Sequence, residues 1–211
     1  MTCERDFVQP PRTAASLVNL FAPTEEAEAL VGDLLEEFIQ RAHKSGIAIA
    51  RKWYWRQSVK SIACLMLMAF RGAPWATLAV TIGGLFLHRI VQGLPDKALS
   101  AITDRYLWYW SSHFEVYIWV LYGLPLVHLT GSMLVGCVVA FAAKGREMVA
   151  TMTLALVLFA MFGVDYITHV AHFSLDIWMF QSLGFFAILV GGAIVRTVRS
   201  SAISRSRAHR A

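Results

Sequence analysis

The chain has 211 residues, of which 57% are hydrophobic and only 16% are charged, and its formal net charge is +5. Soluble domains carry about a quarter charged residues, so this composition excludes an ordinary soluble protein and favours one that lies largely in a lipid bilayer. The positive charge is explained by membrane topology and by attraction to anionic lipid, because no basic and aromatic groove indicates that nucleic acid is bound.

Residues 1–22 contain adjacent prolines and few periodic apolar positions, which predicts a loosely ordered N-terminus. A helix is predicted after Pro23, with Thr24 as its N-cap and acidic residues in its first turns. Gly46 ends the helical pattern. The apolar stripe of this helix predicts packing against a neighbouring helix and consists of Leu30, Leu34, Leu35, Phe38 and Ile39.

Aromatic and basic residues are mixed in the segment that follows. Trp53, Tyr54 and Trp55 are candidate interface residues, since amphipathic rings and cations both find partners in the lipid headgroup layer. The apolar run 62–70 is too short to cross a bilayer. Residues 23–73 are therefore predicted to form cytoplasmic prefix helices that end in an interfacial helix.

The stretch EALVGDLLEEFIQRAHKSGIAIARKWYWRQSVKS resembles a known family. Its GDLLEEF core, its RA-x-x-x-G step and its WYWRQ block are similar in order and spacing to the permease prefix domain at the N-terminus of some bacterial ABC-type permeases, notably acidobacterial-type ones. The resemblance covers residues 27–61 and implies a bacterial inner-membrane protein with a shared partner or assembly role. It implies no catalytic residue. Those permeases continue into a large extracytoplasmic domain, whereas this chain continues into apolar segments.

Each of four apolar segments has about 20 residues or more, enough at about 1.5 Å per residue to cross a hydrocarbon core of about 30 Å. They predict an all-α fold, a polytopic membrane protein in which four transmembrane helices within residues 74–196 follow a short helical cytoplasmic N-terminal prefix. The predicted spans are Trp75–Leu94, Val116–Ala143, Met148 to about Thr168, and Ile177–Val195.

Lysine and arginine residues are concentrated before the first span, in the link between the second and third spans, and in the tail 197–211. The positive-inside rule predicts that these three regions are cytoplasmic. Both termini are then expected on the cytoplasmic side of a bacterial inner membrane, and residues 197–211 form a basic cytoplasmic tail.

Small residues in the spans predict close packing between helices. The clearest pairs are Gly83 and Gly84 in the first span and Gly191 and Gly192 in the fourth. A flexible transport gate could use the same residues, but packing is their commoner role.

Three ionisable residues, His88, Arg89 and His128, are predicted to be buried at membrane depth. Titratable groups are expensive in lipid, so these residues are candidates for function. A hydrogen bond from His128 to a neighbouring helix is the simpler alternative for that residue.

The sequence GVDYITHVAHFSLD holds the clearest candidate for a cofactor site. Steps of four, three and four residues put Asp165, His169, His172 and Asp176 on one helical face. Two imidazoles and two carboxylates suit a divalent transition metal, which is the one cofactor that the residues suggest. Hydrogen bonding between helices, helix capping and exposure in a loop are the commoner alternatives.

The sequence shows no phosphate-binding loop, nucleophile elbow or H-E-x-x-H motif, so no catalytic residue is assigned and an enzymatic role is not favoured. The favoured interpretation is an accessory or interaction component of a permease-related membrane complex, with a membrane-protein partner or a second copy of the chain. A small transporter or channel that uses the buried polar residues is the main alternative. A membrane metalloprotein with an outer-face His and Asp site is the third.

Overall fold

A computed structural model describes residues 9–23, 26–105, 114–168 and 175–208, and all the regular structure in these ranges is α-helical. This confirms the predicted all-α class for the described part of the chain. Some helical residues have a described backbone but no described side chain, and these are residues 102–105, 114–122, 165–166, 175–181 and 203–208. The helices are α1 (Arg12–Phe21), α2 (Ala27–Ser45), α3 (Ile47–Gly72), α4 (Pro74–Arg105), α5 (Phe114–Ala142), α6 (Glu147–Thr168) and α7 (Leu175–Ala208).

The chain divides into two compact units, residues 1–73 and residues 74–211. The first unit has its own hydrophobic core, in which the rings of Phe38 and Tyr54 meet edge to face with centroids 5.7 Å apart. Edge-to-face pairs add to the stabilisation that burial of apolar area provides. The buried members of this core are Ala14, Val18, Leu34, Phe38, Ala42, Ala50 and Tyr54.

Helix α1 differs from the loosely ordered lead-in expected for residues 1–22. The carbonyl of Pro11 accepts the N–H groups of Ala14 and Ala15, which starts the helix. Ala14 and Val18 lie one turn apart and are fully buried in the first core. Tertiary packing, rather than a strong local helical pattern, therefore accounts for α1.

Helix α2 ends as predicted, because Gly46 stands at its C-cap with φ of +88°, a conformation that favours glycine. Its expected N-cap, Thr24, lies outside the described residues. The predicted apolar stripe divides in the structure: Leu34 and Phe38 are buried, whereas Leu35 and Ile39 are exposed. Helical geometry explains the division, since neighbouring residues are turned about 100° from each other.

Helix α3 is continuous through both the aromatic block and the apolar run 62–70. Tyr54 faces the core of the first unit rather than a headgroup layer, while Trp55 is exposed and Trp53 is partly buried beneath the guanidinium of Arg41. The helix ends before Pro74, because a residue that precedes proline disfavours helical geometry.

Four helices of the second unit are long and apolar enough to cross a membrane, counted over the described residues. They correspond to the four predicted spans and indicate a multi-pass membrane protein. Helix α4 extends beyond the predicted end of the first span at Leu94, through Pro95, to Arg105. The apolar helical segments are Pro74–Ala101, Gly123–Ala142, Glu147–Val164 and Ser182–Ala202.

Helices α5 and α7 are in backbone contact at glycines. A Cβ atom at Gly136 would overlap the carbonyl oxygen of Ile188, and one at Gly191 would overlap that of Met133. Gly192 packs on Thr151 of α6, where a Cβ would lie 2.6 Å from the hydroxyl oxygen. Close packing is thus confirmed for Gly191 and Gly192, as it is for Gly84 on α4.

Gly83 does not share this role, because an added Cβ would meet nothing within 4 Å. The prediction of close packing is wrong at this position. Gly83 and Gly84 point about 100° apart around α4, so the helices that pack against Gly84 need not contact Gly83.

Candidate functional site

A group of polar side chains joins α4 to α5 around His128. The Nδ1 atom of His128 contacts the side-chain oxygen of Gln92, and its Nε2 atom lies 3.2 Å from a carboxylate oxygen of Asp96. Gln92 also donates from its amide nitrogen to the carbonyl oxygen of His128 at 3.0 Å and to the hydroxyl of Ser132 at 2.7 Å. Both ring nitrogens of His128 therefore face oxygen atoms.

Helices α4 and α5 approach each other closely enough for these side chains to be in contact. Gly131 lies three residues after His128, and a Cβ at Gly131 would be 2.7 Å from a methyl carbon of Val91 on α4. Ser132 is 1% exposed, so its hydroxyl is shielded from solvent while it accepts from Gln92. Hydrogen bonds of this kind replace water for polar groups within a membrane-spanning bundle.

The polar contacts belong to a longer stripe along α4. Thr77 and Thr81 lie one turn apart and are buried, and His88, Gln92 and Asp96 follow at helical spacing. The hydroxyl of Thr81 and the Nδ1 atom of His88 are buried and have no hydrogen-bond partner in the described part of the chain. Buried polar atoms without hydrogen bonds lower the stability of the fold, so the residues of this stripe are candidates for a functional role.

The three residues predicted to be buried at membrane depth have different surroundings. His88 is partly buried on the face of α4 that carries Gln92, and His128 is partly buried with a side chain 27% exposed. Arg89 is exposed on the surface of the helical bundle, and its location at membrane depth stays a prediction. One residue beyond His88, it is turned about 100° away from the polar stripe and its long side chain can extend toward a membrane surface.

A second polar group joins α5, α6 and α7 at the other end of the bundle. Glu147 is 3% exposed and contacts a guanidinium nitrogen of Arg199, while its other oxygen lies 3.9 Å from Arg196. It also accepts from the backbone N–H of Gly145 at 3.0 Å. Arg199 in turn donates to the carbonyl of Phe141 at 3.3 Å and lies over its ring. This group fixes the link between α5 and α6 onto α7.

The predicted metal site falls outside what the structure describes. His169 and His172 are not described, and the side chains of Asp165 and Asp176 are not described within their helices. Among the described residues no group of three or more His, Cys, Asp or Glu is arranged to hold a metal ion. The outer-face cluster therefore stays a prediction.

Comparison of the chain with protein-family models, with curated proteins and with solved structures found no match.

Sequence reasoning missed Gln92, Asp96 and Ser132 as partners of His128. The helical spacing of Thr81, His88, Gln92 and Asp96 could have revealed a polar stripe within the first predicted span. The pairing of that stripe with His128 depends on the register between two helices, which residue spacing along one helix does not contain.

Proposed function

We propose that this protein is an accessory or interaction component of a permease-related complex in a bacterial inner membrane, with its N-terminal unit and both termini in the cytoplasm. The observation that carries the proposal is that the first unit has a hydrophobic core of its own, formed by residues of α1, α2 and α3. A small unit with its own core can present a separate surface to a partner. The resemblance of residues 27–61 to the permease prefix domain supports the same role.

The surface in question lies on α2. Leu35 and Ile39 are one turn apart, and 37% and 39% of their respective surfaces are exposed. Both residues lie outside the core that Leu34 and Phe38 form on the adjacent face. Paired apolar side chains on the face of a helix suit docking against a groove of another protein. The partner we propose is a membrane protein of the permease class.

The test uses the full chain with the double substitution Leu35→Glu and Ile39→Glu. We expect recovery of the permease partner from native membranes in mild detergent to fall at least about tenfold, which corresponds to about 1.4 kcal/mol of binding free energy. The matched control is Ala29→Glu with Gln40→Glu, since both residues are exposed on the same helix but lie away from the face of Leu35 and Ile39. Unchanged recovery with the first variant, or equal loss with the control, would contradict the proposed docking surface.

A small transporter is the second candidate, and the polar stripe of α4 with its contacts to His128 favours it. Polar side chains that line one face of a span commonly mark a substrate or ion pathway. Flux into proteoliposomes should then be lost in His128→Gln and retained in His43→Gln, because His43 is exposed in the first unit. Flux that is equal in both variants would count against this candidate.

A further inference from the structure

The orientation of the Gln92 side-chain amide determines which ring nitrogens of His128 carry a hydrogen. The Gln92 nitrogen lies 3.0 Å from the carbonyl oxygen of His128, which can only accept a hydrogen bond. The amide oxygen is therefore the atom that faces Nδ1 of the ring. Because two acceptors repel, Nδ1 must carry a hydrogen.

The other ring nitrogen then requires one more proton. If Nε2 were bare, its lone pair would face the carboxylate oxygen of Asp96 at 3.2 Å, and neither atom could donate. A proton on Nε2 makes an imidazolium paired with a carboxylate, and a proton on Asp96 makes a carboxylic acid that donates to Nε2. In either arrangement one exchangeable proton lies between His128 and Asp96.

The shared proton lies near one end of the first span. Asp96 lies 22 residues after Pro74, a distance of about 33 Å at the helical rise, which is close to the thickness of a hydrocarbon core. Its side chain is 61% exposed, compared with 27% for His128. A carboxylate at such a boundary can exchange protons with solvent while its partner remains inside the bundle.

Toward the N-terminus of α4, apolar side chains interrupt the polar stripe. Gly84 stands between Thr81 and His88 on the same face of α4, and a Cβ there would lie 2.8 Å from Val139 and 3.0 Å from Leu154. Both of these side chains are buried, at 3% and 0% exposure. Apolar packing against the α4 backbone thus separates the two threonines from the histidine end.

We propose that His128 and Asp96, held in register by Gln92, form a proton-binding site that exchanges protons with the solution at the Asp96 end of α4 only. Proton uptake completes the hydrogen bonds between α4 and α5. Proton release leaves two acceptors face to face and weakens that contact. The site therefore links the local pH to the association of the first two spans, independently of any partner of the first unit.

Other charged groups near the site are few in the described structure. On α4 they are His88, Arg89 and Lys97, while His128 is the one described on α5. The ionisable side chains of α6 and α7 that are described, Glu147, Arg196 and Arg199, are grouped at the other end of the bundle. The side chains of further charged residues lie outside the description: Asp104 and Arg105 of α4, Glu115 of α5, Asp165 of α6, and Asp176, Arg205 and Arg207 of α7.

The test observes the ring nitrogens of His128 by ¹⁵N NMR in the full-length protein in lipid nanodiscs, with the signal assigned by its loss in His128→Gln. Because the geometry places a hydrogen on Nδ1 in either arrangement, we expect a signal from protonated Nδ1 together with an Nε2 signal that shows a proton shared with the Asp96 carboxyl group. Asp96→Asn should abolish the signals of the shared proton at Nε2, and Asp96→Glu should keep them. The charge-matched control Asp33→Asn, at an exposed position of α2, should leave them unchanged.

A bare Nδ1 atom, or an Nε2 atom that shares no proton with Asp96 in the unmodified protein, would overturn the site, as would shared-proton signals that persist in Asp96→Asn. One-sided access has its own test in proteoliposomes with an imposed pH gradient. We expect no proton flux attributable to the protein, because Gly84 closes the stripe. Proton flux that disappears in His128→Gln would overturn the one-sided arrangement and favour transport.

Discussion

Alanine at Gly191 should destabilise the helical bundle, because α5 and α7 touch through their backbones at this residue. A Cβ at position 191 would lie 2.8 Å from the amide nitrogen of Cys137 and overlap the carbonyl oxygen of Met133. Carbon and oxygen atoms normally approach no closer than about 3.3 Å even in weak hydrogen bonds. The helices must separate, or the backbone must distort, to admit a single methyl group.

Overpacking of this kind costs about 1–3 kcal/mol. The same substitution at Gly83 adds a methyl group that meets nothing within 4 Å, although it lies in a helix of the same bundle. There the gain in helix propensity should leave stability unchanged or raise it by up to about 1 kcal/mol. Gly191→Ala should therefore lower the free energy of unfolding, whereas Gly83→Ala should not.

The assay is reversible unfolding of the purified protein in mixed micelles by a denaturing detergent, followed by far-ultraviolet circular dichroism. Gly136→Ala should resemble Gly191→Ala, since it meets the backbone of Ile188 on the same interface. Equal stability of Gly191→Ala and the unmodified protein would refute the proposed backbone contact. Equal loss in Gly83→Ala would refute the steric explanation.

Three further predictions address single groups. Glu147→Gln should cost about 2 kcal/mol of unfolding free energy, because hydrogen bonds to charged groups contribute about that much, and Glu36→Gln on the exposed face of α2 serves as the control. Burial raises the pKa of Tyr54, whose hydroxyl has no hydrogen-bond partner among the described residues. The stability of the first unit should therefore fall as pH rises above about 10, and Tyr54→Phe should remove that component of the fall without lowering stability at neutral pH. Zinc titration in detergent should show uptake that weakens as pH falls through about 6.5, and a His169→Ala, His172→Ala double variant should lose it; equal uptake by both proteins would remove the metal site.

The four long apolar helices were predictable because a segment that crosses a bilayer must be long and mainly apolar. Backbone polar groups must be satisfied within each span, so a long apolar run has a helix as its stable form. The end of α2 was predictable for an equally local reason, since Gly46 adopts a positive φ.

Features that depend on how the helices pack against one another could not be predicted from these sequence patterns. Helix α1 exists because Ala14 and Val18 find a core formed mainly by α2 and α3. The adjacent glycines Gly83 and Gly84 have different surroundings, although their sequence context is the same. Likewise, the burial of His128 was inferred from its position, whereas its bond to Gln92 depends on how α4 and α5 align.

The central claim, a four-span protein with both termini in the cytoplasm, is tested most directly by reporter fusions in a bacterial inner membrane. We propose that fusions after Gly145 and at the C-terminus are active only with a cytoplasmic reporter, because lysine and arginine residues are concentrated in those regions. A fusion within residues 96–112 should be active only with a periplasmic reporter. Cytoplasmic activity from that segment, or periplasmic activity from either of the other two, would contradict the four-span arrangement.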